Sequence, residues 1–189
     1  VEFRGESLIA RAIRTARDAG ASPVFVVLGA NHQQIRAALP AIDNETHILI
    51  HEAWASGIAS SIAIGVAAAE SIGADNLLLL TCDQITVTDL HLKRLVETSH
   101  HEHIVASCYL GRRGIPAFFP RFAFASLQRL TGDVGARELL QATTVLNVPL
   151  SGGEFDIDTP SDLQQMRDAE HQAVLESRQE DHNKVHRSP

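Results

Sequence analysis

Four consecutive leucines, Leu77 to Leu80, run directly into Thr81-Cys82-Asp83-Gln84. The run carries no polar alternation and is far too short to span a bilayer. Such a segment suits a strand covered on both faces, as in a parallel sheet with helices on either side. It ends on a carboxylate, and open α/β sheets bind ligands just beyond the carboxyl ends of their strands. Asp83 therefore has two readings: a ligand-site carboxylate, or a cap on the turn into the next helix.

The remaining chain keeps to the same alternation. Leu8, Ile9, Ala12, Ile13 and Ala16 recur at helical spacing, in a helix expected from Glu6 to Gly20. Pro23 to Leu28 reads as an apolar strand, and Gly29-Ala30-Asn31 turns from it into a helix carrying Ile35 and Leu39, stopped at Pro40. Ile48 to Ile50 is a short strand. A loop from His51 to Gly57 holds Trp54, the single tryptophan. Ala59 to Ile72 follows as an alanine-rich helix ended by Gly73, and Leu90 to Ser99 as a helix capped by Thr88 or Asp89. This order predicts parallel βαβ units with right-handed crossovers.

Beyond it, Ile104 to Tyr109 and Ile115 to Phe119 are expected to pair as a hairpin. Phe122 to Leu130 and Ala136 to Ala142 read as short helices, and Val145 to Val148 and Phe155 to Ile157 as short strands. Thr159-Pro160-Ser161-Asp162 has the cap, first-turn proline and acidic third position of a helix start. One domain over residues 1–170 is expected, with a disordered polar tail over 177–189. The chain starts without Met and enters a helix almost at once, so it reads as joining an α/β domain already under way.

A net charge of −7 provides no basic stripe for nucleic acid. Cys82 and Cys108 lie in apolar runs and read as reduced core residues of a cytoplasmic protein. Neither a signal peptide nor a membrane span is suggested.

A second acidic point, Asp156-Ile157-Asp158, also follows a short apolar run. If both strand ends reach one edge of the sheet, their carboxylates could share a hard cation. Mg²⁺ favours one or two carboxylates together with substrate phosphate oxygens, a combination suited to nucleotidyl transfer. The plainer reading of Asp156 and Asp158 is helix N-terminal electrostatics, worth about 0.3–1 kcal/mol. Trp54-Ala55-Ser56-Gly57-Ile58-Ala59-Ser60-Ser61 offers N–H groups and hydroxyls to an anion or a ring, or simply caps a helix. His100, His101 and His103 match no zinc spacing and read as a solvated helix end. No G-x-S-x-G nucleophile motif is present.

Taken together, WASGIASSIAIGV (Trp54 to Val66), LLTCDQITVT (Leu79 to Thr88), GIPAFFPRFAFASLQRLTGDVGARELL (Gly114 to Leu140) and DIDTPSDL (Asp156 to Leu163) resemble the molybdenum cofactor cytidylyltransferases and other MobA-like NTP transferases. The resemblance runs in order from Val1 to about Arg167. It implies a Rossmann-like three-layer α/β/α nucleotidyltransferase fold with a mostly parallel sheet. It also implies transfer of a nucleoside monophosphate, CMP from CTP, to the phosphate of molybdopterin with release of pyrophosphate. Asp83 and Asp158 would hold Mg²⁺; Gly57, Ser60 and Ser61 would line the substrate cleft. Gly114 and Pro116, with Gly132, Asp133, Gly135 and Arg137, would face the acceptor. A molybdoenzyme apoprotein is a further implied partner; nucleic acid and membrane are not.

Two residues depart from the family pattern, Ile85 where proline is usual and Ile115 where many members have histidine. The family's N-terminal strand and glycine-rich triphosphate loop have no counterpart; Val1 to Leu8 match the residues just after that loop, as in an N-terminally truncated member. A non-catalytic binding or dimerising module, or the same chemistry with GTP or on a sugar or alditol phosphate, stand as alternatives.

Overall fold

The structure is a computed structural model and describes residues 2–39, 43–142, 144–157, 159, 161–162 and 164. A short antiparallel pair, β1 (Glu2–Phe3) and β2 (Glu6–Ser7), leads into helix α1 (Leu8–Asp18). The helix starts two residues later than the apolar spacing predicts, because Ser7 is extended and its Oγ accepts from the Ala10 N–H as an N-cap. It stops as expected: Gly20 N–H donates to the Arg17 carbonyl and Ala21 N–H to that of Ala16, the paired bonds of a Schellman motif.

Strand β3 (Val24–Leu28) pairs in parallel with β4 (Thr46–Ile50), the two joined through helix α2 (His32–Ala38). Helix α3 (Ile58–Ser71) then leads to β5 (Asn76–Leu79), and α4 (Asp89–Ser99) to β6 (Val105–Tyr109). The hairpin partner of β6 is β7 (Arg112–Pro120). Short helices α5 (Phe124–Gln128) and α6 (Arg137–Leu140) precede β8 (Leu146–Pro149).

The larger sheet has the order β5-β7-β6-β8. It is mixed: β8 runs parallel to β6, while β7 is antiparallel to both β5 and β6. The leucine run therefore lies beside a reversed neighbour, and the mostly parallel sheet expected from the βαβ alternation holds only in part. Its two-faced burial is as predicted. Leu77 and Leu79 pack into a core with Ile62, Val66 and Ala69 of α3, and with Phe124 and Leu127 of α5. Leu78 turns to the opposite core, with Leu92 and Leu95 of α4. β7 divides in the same way, Ala117 and Phe119 to one side and Phe118 to the other. Helices on both faces make this a Rossmann-like α/β fold. Among the described residues, no helix is long and apolar enough to cross a membrane.

Phe155 to Ile157, expected as a strand, forms none. Thr159 and Asp162 do form the expected capping box: Thr159 N–H and Oγ1 donate to the Asp162 carboxylate at 2.7 and 2.8 Å, and Asp162 N–H donates back to Thr159 Oγ1. The 177–189 tail lies outside the described residues.

Candidate functional site

Asp83 lies four residues past the end of β5. Its carbonyl accepts a 3.0 Å hydrogen bond from the Ile157 N–H, which joins the two acidic segments that the sequence separates by more than seventy positions. Beneath them, Ile85 and Ile157 pack with Phe3, Leu8 and Cys82 in a small apolar cluster. Ile85, which stands in place of the family's proline, is thus a buried anchor. Burial, and next the charge of Asp83, push the Cys82 thiol above its usual pKa, so it stays protonated. Both cysteines are free and half-buried.

Asp83 Oδ1 is itself buried and has no hydrogen-bond partner. A buried carboxylate oxygen left unpaired is costly, whereas a hard divalent cation takes just such a ligand. The residues present fit a divalent cation on this count. They do not support a capping role for Asp83, because the next helix is capped by Thr88, whose side chain accepts from the His91 N–H. Asp158 lies outside the described residues.

The loop after Asp83 is held from two sides. From α1, the Arg11 guanidinium donates to the carbonyls of Ile85 and Val87 at 2.6 and 3.2 Å. From the far side, Gln84 Nε2 donates to the Gly153 carbonyl and Thr86 Oγ1 to the Gly152 carbonyl, each at 3.0 Å. Tyr109 packs against Gly153 and stands over Gly114. Its phenol is held above its usual pKa, first by burial; a contact with the Gln84 amide pulls the other way, the charges of Asp156 and Asp83 add to the rise, and Arg137 opposes it. One electrostatic environment thus contains Asp83, Asp156, Arg137 and Tyr109.

The second pair of predicted segments also converges. Gly57, at φ +106°, packs so tightly on the 132–133 turn that a Cβ would stand 2.5 Å from the Gly132 carbonyl oxygen. Ala59 N–H donates to that carbonyl, and Ile58 N–H to Asp133 Oδ1 at 3.3 Å, with the Asp133 carboxylate where an anion would sit. The Ile58 and Ala59 N–H groups are thus taken up by the chain itself rather than turned outward. Ser60 Oγ donates to the Gly57 carbonyl at 2.6 Å and so accepts from Nε2–H of the buried His51 at 2.7 Å. Ser61 is half-buried beside it.

Gly114 borders an irregularity in β7, and Pro116 lies within it. Ala106 pairs with Ala117 but Ser107 pairs with Gly114, so Ile115 and Pro116 bulge from the ladder. Pro116 is fully buried and offers no side-chain surface to a substrate; its carbonyl accepts from Ser107 Oγ at 2.6 Å. Arg137 is exposed at the start of α6. The histidines after α4 serve the chain reversal: His100 and His101 take positive φ, and the His101 ring meets Phe118 edge-on. Among the described residues, no group of three or more His, Cys, Asp or Glu is arranged to hold a metal.

The residues missed from sequence are Arg11, Gln84, Thr86, Tyr109 and the Gly152-Gly153 pair. Only the paired glycines carry a local signal, a turn between two segments expected as strands.

Residues 1–147 match the MobA-like NTP transferase domain. The chain is 30% identical over 177 residues to the purine catabolism protein PucB of Bacillus subtilis, covering 88% of this chain and 86% of that one. It is 31% identical over 151 residues to the nicotine blue oxidoreductase of Paenarthrobacter nicotinovorans, covering 74% and 70%. Among solved structures, the fold resembles Rv0371c of Mycobacterium tuberculosis in complex with manganese, with TM-score 0.73, 24% identity, and coverage of 87% and 88%. It also resembles a nucleotidyl transferase from Methanothermobacter, with TM-score 0.74, 20% identity, and coverage of 89% and 82%.

Proposed function

The chain belongs to the MobA-like NTP transferase family and is a nucleotidyltransferase, and from that premise we propose that it moves CMP from CTP to the phosphate of a molybdopterin-type acceptor in the cytoplasm. In this reaction an acceptor phosphate oxygen attacks the α-phosphorus of CTP. The bond from that phosphorus to the bridging oxygen breaks, and pyrophosphate leaves with the electron pair. The observation that carries the reading is the buried, unpartnered carboxylate oxygen of Asp83, beside a second acidic segment docked on its carbonyl.

Asp83, with Asp158 by resemblance, would hold Mg²⁺. When bound there, the ion supplies neutralisation of phosphate charge. The protein's own contribution is placement. Arg11, Gln84 and Thr86 hold the loop that carries Asp83. By resemblance, Gly57, Ser60 and Ser61 would line the substrate cleft and Gly114, Gly132 and Asp133 the acceptor side, and the packing of Gly57 on the 132–133 turn joins the two sets. Arg137 adds positive charge to the acceptor side, where an acceptor phosphate would need it. The motif series supports CTP and molybdopterin over the alternatives.

The test is a substrate panel read by pyrophosphate release, crossing CTP and GTP with molybdopterin and a sugar phosphate. The expected result is release with CTP and molybdopterin together. Turnover confined to the sugar phosphate would overturn the acceptor assignment.

A further inference from the structure

Gln84 and Thr86 stand on the same loop as Asp83 but spend their side chains elsewhere. Both reach across to one turn, Leu150 to Phe155. That turn is tied to β6 by Leu150 N–H on the Cys108 carbonyl at 2.9 Å, and closed by Phe155 N–H on the Gly152 carbonyl at 3.2 Å. Its two central carbonyls, those of Gly152 and Gly153, receive Thr86 Oγ1 and Gln84 Nε2. There is no room for larger residues. At Gly152, which has φ +75°, a Cβ would lie 2.8 Å from Thr86 Cγ2; at Gly153 it would lie 2.6 Å from Tyr109 Cδ1. Two residues beyond Phe155, the Ile157 N–H meets the Asp83 carbonyl. Three bonds in chain order, at Asp83, Gln84 and Thr86, thus clamp 152–157 to 83–86. The direction is antiparallel: Asp83 takes Ile157, Gln84 takes Gly153, and Thr86 takes Gly152.

We propose that Gln84 and Thr86 are positioning residues for the divalent-cation site, fixing where the carboxylate-bearing segment after Gly153 stands relative to Asp83. The inference rests on the reading of Asp83 as a cation ligand. Neither side chain touches the ion. Each acts by holding the turn, as partners behind metal ligands commonly do, and loss of such a partner costs about tenfold or more in metal affinity. The segment they place has no strand ladder of its own to fix its register, so the clamp takes that part.

Mn²⁺ alone is the probe, with free ion counted by electron paramagnetic resonance and thermal unfolding followed on the same samples. Asp83→Asn tests the ligand itself; Thr86→Val, nearly isosteric, removes only the hydroxyl; Thr86→Ser restores it; Gln84→Leu removes the second tie. The expected result is loss of Mn²⁺ binding in Asp83→Asn and weakening by about tenfold in Thr86→Val and Gln84→Leu, with affinity recovered in Thr86→Ser. Parental affinity in both Thr86→Val and Gln84→Leu, with binding lost in Asp83→Asn, would overturn the positioning role while leaving Asp83 a ligand. Parental affinity in Asp83→Asn would overturn the cation reading, and the positioning role with it.

Discussion

The N–H of Ile157 donates to the carbonyl of Asp83 at 3.0 Å, joining two acidic segments side by side. This bond brings together what the sequence offers only as separate strand ends. It leaves the Asp83 carboxylate free for another use, because the backbone rather than the side chain makes the joint. Ile85 and Ile157 are both buried in one apolar cluster with Phe3 and Leu8.

Arg11 is the other support of this loop, a guanidinium on two carbonyls. Replacing it by Met keeps much of the apolar stem and leaves both carbonyls without their donor. The expected cost in unfolding free energy is about 1.5–3 kcal/mol, as for hydrogen bonds to a charged group. Urea denaturation of Arg11→Met against the parent measures it.

Gly57→Ala places a methyl group against the Gly132 carbonyl and forces a side chain to φ +106°. Strain at such a backbone position is worth about 1–3 kcal/mol, and the clash adds to it. The variant should unfold at lower temperature, and proteolysis should reach the 132–135 turn first, because that turn is docked on Gly57.

His91 provides a pH signature. It is buried on α4, and since Ser107 gives its proton to the Pro116 carbonyl, Nε2–H of His91 donates to Ser107 Oγ at 2.7 Å. Burial, then the charge of Arg94, hold its pKa below the usual 6.5. Its contribution to stability is therefore complete above pH 6.5 and is lost as the pH falls from there toward the folded-state value. Denaturant midpoints across that window should fall in the parent and fall less in His91→Gln, which keeps a donor for Ser107 but cannot titrate.

The sequence revealed the parts of this site more readily than their assembly. The leucine run read correctly as a strand covered on both faces over Leu77 to Leu79, because a short run without polar alternation suits burial on both sides; Leu80 lies beyond the strand end. The reversed direction of its neighbour β7 was not legible, since a strand's own side chains look the same beside a parallel or an antiparallel partner. The Thr159–Asp162 box was legible because capping is local. The docking of Gly57 on Gly132 joins positions seventy-five apart, and only the three-dimensional structure shows that Asp133 fills the helix start. Gln84 and Thr86 were hidden for the same reason. An amide and a hydroxyl beside an aspartate carry no mark of the turn they hold.

The most direct measurement is pyrophosphate release from CTP and molybdopterin by the protein that carries this chain, with and without Mg²⁺, alongside Asp83→Asn. The predicted result is release that requires Mg²⁺ and falls by about a hundredfold or more in Asp83→Asn, the scale lost when a charge-stabilising group is removed. Mg²⁺-dependent release at the parental rate in Asp83→Asn would contradict the account.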